Sequence, residues 1–145
     1  MQGGSLDPEA LNPRSYLAYL KQFAANNKSL DQVFVRRIIG SIFYALYNYW
    51  AAKSYLKGKR GDGPYQDSFR LSDFFTDMVK LGLEDAIYRI FIHRVAADHY
   101  VLNPTRIKVV TRPWKDVEVD VEINRDKLVK LLDLALTVLD FLEKL

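Results

Sequence analysis

The side chains best suited to chemistry are gathered in one stretch, Arg89-Ile90-Phe91-Ile92-His93-Arg94-Val95-Ala96-Ala97-Asp98-His99-Tyr100. It holds both histidines of the chain. Arg94 and His99 are the candidate catalytic pair. An imidazole can take a proton from a ribose 2′-hydroxyl or return one to a leaving oxygen. A guanidinium fork can hold the scissile phosphate and offset its developing charge. Those two groups suffice in principle for RNA cleavage without a metal. Asp98, Tyr100, His93 and Arg89 surround them and are the candidate substrate contacts.

Two features of spacing bear on that pair. Arg94 falls on an apolar stripe, and a buried guanidinium is costly unless it is paired. Asp98, four residues on, is within helical reach of it. An intrahelical Arg94–Asp98 pair that merely orients a core arginine is therefore the plain structural alternative. In addition, five residues of α-helix set two side chains roughly 140° apart. Arg94 and His99 converge on one phosphate only if the helix distorts near its end, or if two copies face each other across a two-fold axis. Arg89 and His93, four apart, share a face, for which a solvated structural role is the simpler reading. Lys57 to Arg60, with Arg106, Lys108, Arg112 and Lys115, could contact phosphates, and Trp114 could stack on a base. Solvated surface charge is the simpler account of these too.

Other chemistries are excluded by what is missing. The chain has no cysteine, which removes disulfides, thiol catalysis and thiolate metal sites. P-loop, dinucleotide-binding and H-E-x-x-H patterns are absent. With two histidines a zinc site is not expected, nor is any cofactor. A net charge of +3 permits nucleic-acid binding without demanding it. The start of the chain does not read as a signal peptide. The longest uncharged run, Ile38 to Ala52, is shorter than the about 20 residues a membrane span needs. A cytoplasmic protein that contacts no membrane is expected.

The elements that must position these groups are mostly helical. With 145 residues, 49% of them hydrophobic and 27% charged, the chain reads as one globular domain spanning 1–145. The first dozen residues are expected to be flexible. Asn12-Pro13 opens a helix to about Ala25. A long helix follows, about Leu30 to Leu56, with Phe34, Ile38, Ile42, Ala45, Tyr49, Ala52 and Leu56 on one stripe and Val35, Ile39, Phe43, Leu46 and Trp50 on a second. Only Arg37, Ser41, Tyr44 and Asn48 leave a polar seam, so this helix must be central or must pair with another subunit. Further helices are expected over Asp67 to Leu81, with Gly82 as the stop, and over Leu83 to Leu102, ended by Asn103-Pro104. The period then changes: Ile107 to Thr111, and Val117, Val119, Val121 and Ile123 alternating with acids, predict a β-hairpin over 105–123 turning at Arg112 to Asp116. Asn124 caps the last helix, which carries Leu128, Leu131, Ala135, Val138, Leu142 and Leu145 on one face. The expected fold is all-α, an up-and-down bundle of four to five helices with the hairpin inserted before the last.

Three segments together resemble the HEPN (higher eukaryotes and prokaryotes nucleotide-binding) superfamily. The long helix carries Phe43-Tyr44-Ala45-Leu46-Tyr47, then Ala51-Ala52-Lys53 and Tyr55-Leu56. The next-to-last helix carries Arg94-x4-His99, similar to the R-x4-6-H signature, and its Ala97-Asp98-His99-Tyr100 is similar to the R..ADY form of members not known for activity. The leucine-rich last helix is similar in kind. The resemblance covers roughly Asp31 to Leu145 and implies a homodimer with Arg94 and His99 in a shared cleft. It implies a metal-independent endoribonuclease, often a toxin or defence component beside a nucleotidyltransferase antitoxin. Active members usually carry a polar residue after the arginine, where this chain has Val95. The alternative implied is therefore a non-catalytic module that binds RNA, a nucleotide or a nucleotidyltransferase partner.

Overall fold

Hydrophobic periodicity of 3.6 governs most of this chain, and the computed structural model is accordingly a helical bundle. It describes residues 7–63, 68–100, 102, 105–111 and 115–145. Helices α1 (Pro8–Leu11), α2 (Pro13–Asn26), α3 (Gln32–Leu56), α4 (Leu71–Lys80) and α5 (Glu84–His99) precede a hairpin of β1 (Arg106–Thr111) and β2 (Lys115–Asp120), and α6 (Arg125–Leu142) closes the described order.

Helix α3 is central and packs on α1, α2, α4, α5 and α6. Both of its stripes supply core: Val35, Ile38, Ile39, Ile42, Phe43, Leu46, Tyr49 and Trp50 are buried. The first stripe runs off the core at its ends, where Phe34 is 55% and Leu56 60% exposed. Length explains this. The 25 residues of α3 extend roughly 37 Å and outrun the 16 residues of α5 beside them, which extend roughly 24 Å. Helix α6 packs on α2, α3 and α5, burying Leu128, Leu131, Leu132, Ala135, Val138, Leu139 and Leu142. Its N-cap is Asn124, whose Oδ1 accepts from Lys127 N at 2.8 Å. The hairpin is antiparallel, with Ile107 opposite Val119 and Val109 opposite Val117. Ile107, Val121 and Ile123 are buried where it meets the helices. The turn expected at Arg112-Pro113-Trp114 lies outside the described residues.

Three boundaries differ from the sequence reading. The segment expected to be flexible holds α1, whose start Asp7 caps and whose Glu9 Oε1 accepts from the Tyr49 hydroxyl at 3.2 Å. Asn12 sits in the left-handed region at φ 43°, a conformation asparagine tolerates better than most residues, and its side chain caps α2. Helix α4 begins at Leu71, not near Asp67: the Arg70 N–H donates to Asp73 Oδ2 at 3.2 Å, which fixes the first turn there. Helix α5 ends at His99 instead of Leu102. Arg36 Nη1 on α3 donates to the carbonyls of Ala96 (3.4 Å), Ala97 (3.1 Å) and Tyr100 (2.6 Å), and Tyr100 turns extended. A cation on the last carbonyls is also where the helix dipole favours it. The stop expected at Asn103-Pro104 lies outside the described residues.

Candidate functional site

The stretch rich in chemistry forms the second half of α5, against the first half of α3. Helical geometry distributes its polar groups around the axis, and each meets a different environment.

Arg94 lies at the seam between α5 and α3 with its side chain 15% exposed. Its Nη2 donates to the Tyr44 hydroxyl at 2.5 Å. The guanidinium carbon stands 4.8 Å from the Tyr44 ring centre and 5.7 Å from those of Phe43 and Phe91. A cation over aromatic faces is stabilised by their quadrupoles, by about 0.5–1 kcal/mol at partly exposed sites. Asp98 Oδ2 is 3.4 Å from Arg94 Nε, the i,i+4 pair expected from spacing. The contact is loose, because Nε is buried without a hydrogen-bond partner among the described residues. The Asp98 carboxylate also faces α3, where its Oδ1 lies 3.1 Å from the position a Cβ on Gly40 would take. Arg94, Asp98, Tyr44 and Gly40 thus form one cluster.

His99 is in the last turn of α5 and exposed to solvent, and among the described residues it has no hydrogen-bond partner. Helix α5 is regular through this turn, with Tyr100 N donating to Ala96 O at 3.2 Å. The roughly 140° separation therefore stands, and the two side chains do not converge within one chain. Tyr100, 41% exposed, follows as the C-cap, its carbonyl held by Arg36.

His93 and Arg89 are not part of this cluster. His93 is 3% exposed, its Nδ1 is 2.8 Å from Arg89 O, and its Nε2 has no partner among the described residues. Burial pushes its pKa below the usual value; the bond to Arg89 O opposes this, Lys127 and Arg89 add to it, and Glu122 opposes. Arg89 is exposed and bound to Asp85 at 2.9 Å. The basic loop after α3 lies toward the other end of that helix, beside a cavity of about 420 Å³ lined by Trp50, Lys59, Asp77 and Lys80 among others. Lys59 and the Trp50 indole both donate to Asp77 Oδ2, at 3.1 and 2.8 Å, and Arg60 donates to the carbonyls of Tyr55 and Lys59. Lys59 is thus paired with a carboxylate, and Arg60 is held by main-chain carbonyls. Arg106 is bound to Asp120 at 3.0 Å. The side chains of Lys108, Arg112, Trp114 and Lys115 lie outside the described ones. Among the described residues no three His, Asp or Glu side chains are grouped as a metal site requires, and no described helix is long and apolar enough to cross a membrane.

Gly40 and Arg36 were not distinguishable in the sequence. Each acts on a residue about 60 positions away, and no local pattern encodes that. Tyr44 had a signal as a polar interruption of the apolar helix. Neither family models, nor curated proteins, nor solved structures give a match to this chain.

Proposed function

We propose that the chain is a HEPN-like protein that acts on RNA as a homodimer, in which Arg94 holds a phosphate and His99 of the facing copy moves the proton. The observation that carries this reading is the state of Arg94: a guanidinium set on three rings and one tyrosine hydroxyl at the α3–α5 seam, 15% exposed, on the helix whose end presents His99 to solvent. A cation fixed in this way is itself already in place when a phosphate oxygen arrives. Because α5 is regular to His99, a phosphate shared by both groups requires a second copy across a two-fold axis. The step is attack of the ribose 2′-oxygen on phosphorus with departure of the 5′-oxygen. The imidazole takes the proton of the first or supplies one to the second. A nucleotidyltransferase partner that restrains the activity follows from the same resemblance.

The test is incubation of purified protein with RNA and a chelator. Cleavage leaving 2′,3′-cyclic phosphate ends is expected, with a loss of about 10²–10⁴-fold in His99→Ala. Equal cleavage by the two proteins removes His99 from the mechanism. A second reading, RNA binding without cleavage, is favoured by a specific observation: Arg94 already faces its own carboxylate, and the apolar Val95 follows it. Binding that depends on Arg94 with no cleavage by wild type selects that reading.

A further inference from the structure

We propose that Asp98 is a built-in competitor for Arg94, a carboxylate standing where an RNA phosphate oxygen would bind, and that Gly40 is the residue that leaves room for it there. The proposal rests on the reading of Arg94 as a phosphate anchor.

The contacts of the carboxylate carry the argument. One oxygen, Oδ2, faces Arg94 Nε at 3.4 Å. The other, Oδ1, faces α3 at Gly40, 3.1 Å from where a side-chain carbon would stand and so a few tenths of an ångström closer than such a carbon would ordinarily allow. The pair has charge complementarity without hydrogen-bond geometry, because Nε remains unpartnered. Such a contact is weak and exchangeable. A phosphate can offer two strong acceptor oxygens to the same fork in a bidentate arrangement, which the Asp98 carboxylate does not. The two partners also differ in freedom. Arg94 is 15% exposed and anchored by Tyr44, Phe43 and Phe91, whereas Asp98 is 37% exposed at the rim. The carboxylate is the one that can leave for water. While the site is empty it compensates the half-buried cation, and on binding it must swing away, so it raises the threshold for weak anions.

The test is binding of a labelled mixed-sequence RNA oligonucleotide, read by fluorescence anisotropy at low and high salt, with helicity checked for each variant. A loose pair of this kind, with its carboxylate at the rim, contributes about 0.2–1 kcal/mol, so Asp98→Asn is expected to bind about 1.4- to fivefold more tightly than wild type. Gly40→Ala, which crowds the carboxylate by a few tenths of an ångström without changing charge, shifts affinity in the same direction by a smaller step. Asp133→Asn, which removes an equal charge from the exposed Lys21–Asp133 pair between α2 and α6, gives no such gain. In an Arg94→Ala background the Asp98→Asn gain disappears. If Asp98→Asn binds no tighter than wild type, or gains no more than Asp133→Asn, while Arg94→Ala still weakens binding, the competitor is refuted and the phosphate anchor stands. If Arg94→Ala leaves RNA affinity unchanged, the anchor itself is lost.

Discussion

Arg36→Ala should loosen the end of α5, which carries Asp98 and His99, and its cost can be worked from the contacts. Arg36 Nη1 serves three carbonyls, those of Ala97 and Tyr100 at good distances and that of Ala96 at the limit, and Nε is held by Gln32 Oε1 at 3.2 Å. A hydrogen bond to a charged group contributes about 1.5–3 kcal/mol, less at a partly solvated helix end, and the dipole interaction adds about 0.5 kcal/mol. A total near 2.5 kcal/mol is expected. For 145 residues the unfolding entropy is about 0.3 kcal/mol per kelvin, so Tm should fall by about 8 °C. Circular dichroism melting measures this directly. Arg36→Lys, with one compact ammonium in place of the fork, should fall between wild type and alanine. The neighbouring Arg37 is exposed and is the control: Arg37→Ala should stay within about 0.5 kcal/mol. Should Arg36→Ala and Arg37→Ala melt together, the capping argument is wrong.

Three further outcomes follow from burial. His93 has its folded pKa lowered, so protonation favours the unfolded chain; its contribution is fully present above the ordinary value near 6.5 and is lost as pH falls below it. Urea unfolding of wild type between pH 5 and 7.5 should therefore show stability rising with pH more steeply than in His93→Phe, and parallel curves would contradict this. Leu139→Ala, at a position with no exposure, should cost about 2–5 kcal/mol in the same assay, and a loss under about 1 kcal/mol would show that the site lies outside the packed core. Asp77→Ala orphans the Trp50 indole N–H and frees Lys59, for an expected cost of about 1–3 kcal/mol together with altered tryptophan emission; an unchanged midpoint would mean that water replaces the carboxylate without penalty.

The parts of the fold that local physics controls were legible in the sequence. The two stripes of α3 announced a central helix, the leucines of α6 announced its buried face, and the alternation around Val117 to Ile123 announced the hairpin. Boundaries set by tertiary contacts were not legible. Helix α5 stops at His99 because a guanidinium 60 residues earlier takes its last carbonyls, and neither segment signals that alone. The Arg94–Asp98 pair was expected from four-residue spacing, but the room that Gly40 leaves for Asp98 was not. His93 was read as solvated beside Arg89. The structure separates them because one position on α5 faces the core and the other faces Asp85.

The most direct measurement of the central claim is complementation between inactive variants. Arg94→Ala and His99→Ala proteins are each assayed for RNA cleavage with chelator present, then mixed under conditions that exchange subunits. A site that takes its guanidinium from one copy and its imidazole from the other is restored once in each mixed dimer. The mixture should then recover roughly a quarter of the wild-type rate, because random pairing makes half the dimers mixed. No recovery, with mixed dimers shown to form, would contradict a site shared between copies.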